Sequence, residues 1–241
     1  MNVKFTIQYD GTDFFGSQKQ PNKNTIENAL LKAFLKINID TKIILSGRTD
    51  KEVHASGQVF NSNIPLYWKN NFTKLQKVLN QQLPLSIRIK NLVEVNTDFH
   101  SRFDAKKRVY RYLISTKEKN AFSYKYISYV KDINEEVIKE AISVFVGIHD
   151  FSLFHKLGSD KEYLVREIFK TSFYKYKDIY VFKFTANSYL RSQIRLMVGF
   201  LLEISKGKLS IEDLKLQVQN KNCFFKKPAD PYGLYLSKVI Y

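Results

Sequence analysis

The chain has 241 residues, and 39 Lys and Arg against 23 Asp and Glu leave a net charge of +16. A hydrophobic share of 44% with no Pro-rich or Gly/Ser-rich tract excludes a disordered chain, and the length suffices for a sizeable core in one large or two small domains. The longest strongly apolar run, Leu196 to Ile204, is too short to cross a bilayer, and the single cysteine, Cys223, excludes an intrachain disulfide. The start, MNVKFTIQYDG, has no apolar signal region, so a cytoplasmic protein with no membrane partner is expected. The charge points to a polyanion, because Lys and Arg release counterions condensed on phosphates. A composition biased toward Lys, Asn and Ile also raises the pI, so charge alone does not separate RNA from DNA or an anionic surface.

In chain order, Val3, Phe5, Ile7 and Tyr9 alternate with polar residues and predict a half-buried strand, followed by the turn-like Asp10-Gly11-Thr12. Asn24 with Glu27 predicts a capping box opening a helix whose apolar face is Ile26, Leu30, Ala33, Phe34 and Ile37. Ile43-Ile44-Leu45 reads as a short buried strand, Gln58 to Asn61 as another, and Leu75, Val78 and Leu79 as a second helix ending near Pro84. Strand signals follow at Ile87 to Val95 and at Val109 to Ile114. A third helix is expected from Asn134 to a C-cap at Gly147, then two strands over Thr171 to Ala186 joined near Lys177-Asp178. Leu190 to Lys206 reads as a buried helix, Ser210 to Val218 as a short one, and Gly233 to Tyr241 as a last strand.

This order predicts an α+β fold of two related α/β-sandwich-like halves, residues 1–105 and 106–241. Their mixed, mainly antiparallel central sheet would carry helices, with a catalytic cleft between the halves. His54, His100, His149, His155 and Cys223 have no metal-site spacing, and neither a phosphate loop, a dinucleotide fingerprint nor a serine nucleophile elbow occurs. An enzyme built from this chain must work with carboxylates, tyrosines and arginines, without metal or cofactor.

Gly47-Arg48-Thr49-Asp50 directly follows a predicted strand. A carboxylate there is held rigidly while facing a cleft, although a lone loop Asp is more often a turn former or a helix cap. A nucleophilic carboxylate must be ionised, which a nearby guanidinium favours. Arg48 is adjacent, and Arg195 is the charged residue of the apolar helix. Lys106-Lys107-Arg108, before the strand of Tyr110, and Lys226-Lys227 are candidate phosphate contacts. Tyr110 and Tyr112 by themselves read as a strand-face pair.

The segment Ser46-Gly47-Arg48-Thr49-Asp50, continued by Val53-His54-Ala55 and Gly57-Gln58-Val59, resembles the signature of the bacterial tRNA pseudouridine synthase A family. Further stretches resemble the family in the same order. They are Tyr9-Asp10-Gly11-Thr12 with Gly16 and Gln18, Phe99-His100 with Arg102-Phe103, Tyr110-Arg111-Tyr112, His149-Asp150-Phe151, Asn187 and Leu190 with Arg195, Met197-Val198-Gly199, and Gly233-Leu234-Tyr235-Leu236.

The resemblance implies isomerisation of uridine to pseudouridine in the tRNA anticodon arm, at positions 38 to 40, by a homodimer without cofactor. It implies that Asp50 is the nucleophile, Arg195 its ion-pair partner and Arg48 a second support. Tyr110 would contact the target base, and Leu234 or Leu236 would pack against it. Three positions depart from the pattern: Ser17 stands where Trp is usual, Glu52 where Gly is usual, and Arg191 where an aromatic residue or His is more frequent. Glycine two residues after the nucleophile implies a positive φ or a close backbone approach, and Glu52 is expected to point outward, toward a lysine. The alternatives are a non-catalytic or divergent RNA-binding protein of the same fold, and a glycosidase-like enzyme using Glu52 or Asp104 as a second carboxylate, which the positive charge disfavours.

Overall fold

The computed structural model describes residues 1–156 and 163–241. In chain order its elements are β1 (Asn2–Tyr9), α1 (Ile26–Leu35), β2 (Ile44–Leu45), β3 (His54–Asn63), α2 (Phe72–Gln82), β4 (Ile87–Glu94), β5 (Lys107–Ser115) and β6 (Ser128–Tyr129). They continue with α3 (Glu135–Ala141), β7 (Gly147–Asp150), β8 (Val165–Tyr176), β9 (Ile179–Ala186), α4 (Gln193–Ser205), α5 (Ile211–Val218) and β10 (Leu234–Ile240). The fold is α+β. Two compact units form, Met1–Lys106 with Tyr235–Tyr241, and Lys107–Leu234.

In the first unit the strands run in the order β4-β1-β3-β10. β1 is antiparallel to both β3 and β4, while β10 joins β3 in parallel through Tyr235 beside His54 and Leu236 beside Ala55. The last strand, placed in the second half by chain order, thus returns to the first unit. The inward residues of β1, Val3, Phe5 and Ile7, are fully buried. Phe5 stacks on Phe60 of β3 at 4.6 Å, and Phe34 of α1 meets Phe5 edge-on at 5.7 Å. Such pairs add about 0.5–1.5 kcal/mol beyond the area they bury. The cap of α1 differs from the expected capping box. Thr25 is the N-cap, accepting from the Asn28 N–H, and Glu27 Oε2 instead accepts the Lys19 N–H.

In the second unit the order is β5-β9-β8-β7, all antiparallel, with β6 parallel to the end of β5. α4 buries most of its length, including Leu196, Met197, Val198, Phe200 and Leu201, and its Phe200 ring lies 6.0 Å from that of Phe154 and 6.3 Å from that of Phe225. The helix expected from Asn134 to Gly147 divides. α3 ends at Ala141, a 3-10 turn covers Ile142–Phe145, and Gly147, at φ +118, opens strand β7. The β-branched run Ile142, Val144, Val146 weakens helix propensity, and the turn buries Ile142 and Phe145. α5 carries the full capping box between Ser210 and Asp213. No helix among the described residues is long and apolar enough to cross a membrane.

Candidate active site

Asp50 lies in the connection from β2 to β3, and Ser46, Gly47, Thr49 and Glu52 of that connection are hydrogen-bonded to neighbouring segments. At its start the Ser46 hydroxyl donates to Gln58 Oε1 at 2.6 Å, and Gln58 Nε2 donates to the Gly47 carbonyl at 2.9 Å. Gln58 is fully buried on β3, so this amide ties the loop to the sheet. In the middle, Tyr9 of β1 places its hydroxyl 2.8 Å from Thr49 Oγ1. Burial pushes the Tyr9 phenol up to about 12, although its bonds to Thr49 and Gln58 pull the other way. It therefore stays protonated at neutral pH.

The segment after β1 completes the clamp. Ser17 is fully buried; its N–H donates to the Thr49 carbonyl at 3.1 Å, and its Oγ accepts the Thr49 N–H at 2.8 Å. The Glu52 N–H donates to the Phe14 carbonyl at 3.3 Å. Two glycines allow so close an approach. A Cβ on Gly11 would sit 2.0 Å from the Val53 carbonyl oxygen, and one on Gly16, whose φ is +95, would sit 2.7 Å from that of Thr49. His54 is buried at the start of β3, where its Nδ1 accepts the Gly11 N–H at 3.0 Å and its ring stacks on Tyr235 at 4.8 Å. It holds the same two segments together.

The turn after Asp50 is closed by the Val53 N–H on the Asp50 carbonyl at 3.2 Å. Glu52 is its third residue with φ +66, the sign a type II turn requires and glycine adopts freely. The Glu52 carboxylate lies 3.4 Å from Lys51 Nζ, so its charge has a lysine partner as expected. Asp50 is half-buried, and Arg48 is exposed.

In the second unit Tyr110 is 7% exposed on β5, opposite Phe184 of β9, and meets Tyr189 edge-on at 5.2 Å. The Tyr189 hydroxyl is buried and has no hydrogen-bond partner among the described residues; burial, and then Tyr110, hold its pKa well above the usual tyrosine range. Tyr112 is structural, its hydroxyl meeting Ser128 Oγ at 2.7 Å and donating to the Asp230 carbonyl at 2.8 Å. Arg195 is half-buried on α4 and donates from Nε to the Ala229 carbonyl at 2.7 Å, while the Ala229 N–H donates back to the Arg195 carbonyl.

The basic run divides. Lys106 and Lys107 are exposed, with Lys107 Nζ 4.8 Å from the Phe169 ring centre. Arg108 is buried and its Nη1 donates to the Asn187 carbonyl at 2.6 Å. Leu234 is buried at the start of β10.

Sequence reasoning missed Ser17, Thr49 and Tyr9 as the supports of the loop. Ser17 carried one legible signal, a small hydroxyl residue where Trp is usual.

The sequence pattern of the family described as tRNA pseudouridine synthase matches residues 6–104 and 141–241. A tRNA pseudouridine synthase A of Wolinella succinogenes is 40% identical over 233 residues, covering 97% of this chain and 92% of the relative. One from Campylobacter jejuni strain RM1221 is 39% identical over the full length of both chains, 241 residues. Another, from Phytoplasma mali, is 39% identical over 243 residues, covering 100% of this chain and 98% of the relative. A chain of a solved Cbf5–Nop10–Gar1 complex aligns over 81% of this chain and 53% of that one, at 14% identity and a TM-score of 0.35, too low to argue from. By class this chain is a pseudouridine synthase, an isomerase. It belongs to the tRNA pseudouridine synthase family.

Proposed function

We propose that this chain converts uridine to pseudouridine in the anticodon arm of tRNA, at positions 38 to 40, with Asp50 as the nucleophile. The observation that carries the assignment is the clamp around Asp50. Gln58, Tyr9, Ser17 and Gly11 hold its loop from both sides, as a nucleophile placed within about 0.5 Å of its target requires. The reaction breaks the bond from ribose C1′ to uracil N1 and forms one from C1′ to C5. The C5 proton is lost and N1 gains one, so no atom or electron is added overall and no cofactor is needed. Asp50 supplies the covalent link that keeps the uracil and ribose in one site meanwhile.

Arg195 is the ion-pair partner of the Asp50 carboxylate, with Arg48 as a second support. Tyr110 offers its ring to the extruded base, and Leu234 packs against the same base. Unstacking the target costs a few kcal/mol, and an aromatic contact returns about 1–3 kcal/mol. Lys106 and Lys107, both exposed, take backbone phosphates. The enzyme works in the cytoplasm as a homodimer. The edge strand β7 supports the dimer, since Val146, Ile148 and Val165 stand exposed beside it.

Incubation with unmodified tRNA followed by pseudouridine mapping tests the assignment. Asp50→Asn is expected to lower turnover by a factor on the order of 10⁴ or more while tRNA affinity stays within a few-fold. Loss of turnover and affinity together would make Asp50 a structural residue instead.

A further inference from the structure

The end of the second unit at which β5 stops and β8 turns into β9 carries a surface that the assigned chemistry does not use. Two segments meet there. One follows β5 and contains Lys117, Lys119, Phe122, Tyr124 and Lys125; the other is the β8–β9 hairpin with Tyr174, Lys175, Tyr176, Lys177 and Asp178. The Lys117 ammonium donates to Asp178 Oδ2 at 2.7 Å and fastens one segment to the other.

The rings on this surface face water. Phe122 is 91% exposed, Tyr176 64% and Tyr124 39%. Around them the cations sit within reach of the ring faces. Lys119 Nζ is 5.7 Å and Lys125 Nζ 5.8 Å from the Tyr124 ring centre, and Lys177 Nζ is 5.8 Å from that of Tyr176. Residues 117–125 and 174–178 hold five lysines against Glu118 and Asp178, a net charge of +3.

Exposed rings interleaved with cations are poor folding elements. An apolar partner would favour rings without the lysines, and a phosphate alone would need the lysines without the rings. A single-stranded nucleic acid uses both, stacking bases on the rings and setting phosphates beside the ammonium groups. Neither segment is the place of the reacting base. Tyr110 lies five residues before the end of β5, about 16 Å along the strand. The first segment falls outside the residues that the family pattern matches, 6–104 and 141–241, whereas the hairpin lies within them.

We propose that Phe122, Tyr124 and Tyr176, with Lys119, Lys125 and Lys177, form a second RNA-binding platform that stacks unpaired bases of the tRNA away from the uridine being isomerised. The proposal rests on the chain being a tRNA-modifying enzyme, but its readout is separate.

The test is a Tyr124→Ala/Tyr176→Ala double variant of the full chain, compared with Tyr124→Phe/Tyr176→Phe. tRNA affinity is measured by fluorescence anisotropy and turnover by pseudouridine formation. The alanine pair is expected to weaken tRNA binding and raise KM about tenfold, with kcat at saturating tRNA unchanged, and the phenylalanine pair to restore both. Equal affinities for wild type and the alanine pair would overturn the platform. So would a change in sedimenting mass with tRNA affinity unchanged, which would assign the surface to a second copy of the chain. A wild-type protein that binds tRNA but makes no pseudouridine would defeat the assigned reaction, and the anisotropy comparison would still judge the platform.

Discussion

The loop carrying Asp50 and the segment after β5 both leave the end of a strand, yet they are held in opposite ways. Around Asp50, Ser46, Gly47, Thr49 and Glu52 all find named partners in β1, β3 or the segment from Phe14 to Ser17. Two glycines are needed for the backbones to come so close. The segment after β5 is fastened to the hairpin by an exposed ion pair, and it leaves Phe122 almost entirely in water. The first arrangement suits a carboxylate that must meet one carbon atom. The second suits a surface that accepts whichever base is presented, because every base has a stackable face.

Substitutions separate the two regions, and among those that leave Asp50 in place the largest effect is expected at Gly11. Gly11→Ala drives a methyl group to 2.0 Å from the Val53 oxygen, so one backbone must move. Overpacking of this kind costs about 1–3 kcal/mol, a fall in melting temperature of roughly 2–4 °C per kcal/mol for a chain of this size. A shift of about 1 Å in the loop lowers kcat on the order of 10²-fold. Calorimetry and single-turnover assays read the two effects, and normal kcat in this variant would show that the clamp does not position Asp50.

Next is Ser17→Ala, which leaves the Thr49 N–H without its acceptor in a buried place. A loss of about 1–3 kcal/mol in urea unfolding is expected, with kcat reduced and KM for tRNA unchanged. A change confined to KM would place Ser17 in RNA binding instead.

Glu52→Gly acts in the other direction and more weakly. Removing the side chain relieves the left-handed backbone at φ +66, a gain of about 1–2 kcal/mol, partly offset by the freer unfolded chain. The net expectation is a rise of roughly 0.5–1 kcal/mol in unfolding free energy with turnover unaltered. A drop in stability would mean that the Glu52 pair with Lys51 matters more than the strain.

The smallest effect is expected from Phe122→Ser, which should leave stability within about 0.5 kcal/mol of wild type because the ring is already in water. A loss above 2 kcal/mol would make the segment a packed element and erase the contrast between the two regions.

Much of this molecule was legible before any coordinates. The alternation Val3, Phe5, Ile7 specified β1 and its inward face, and the spacing Ile26, Leu30, Ala33, Phe34 specified the buried side of α1. At Glu52, a position that usually holds glycine announces a positive φ or a close backbone approach, and the backbone takes the first, at φ +66. Those features are local, set by side-chain period and by the steric limits on a single residue.

What only the tertiary structure decided depends on partners distant in the chain. The start of β3 at His54-Ala55-Ser56-Gly57 lacks a strand composition, and pairing with β1 and with β10, some 180 residues away, makes it one. The bonding of Arg108 to Asn187 and of Ser17 to Thr49 likewise had no local signature. The sequence by itself determined the family, the segment that carries Asp50 and most of the elements. Which groups hold that loop still, and which rings were left in water, followed from long-range packing, because a hydrogen bond or a buried face exists only once both partners are in place.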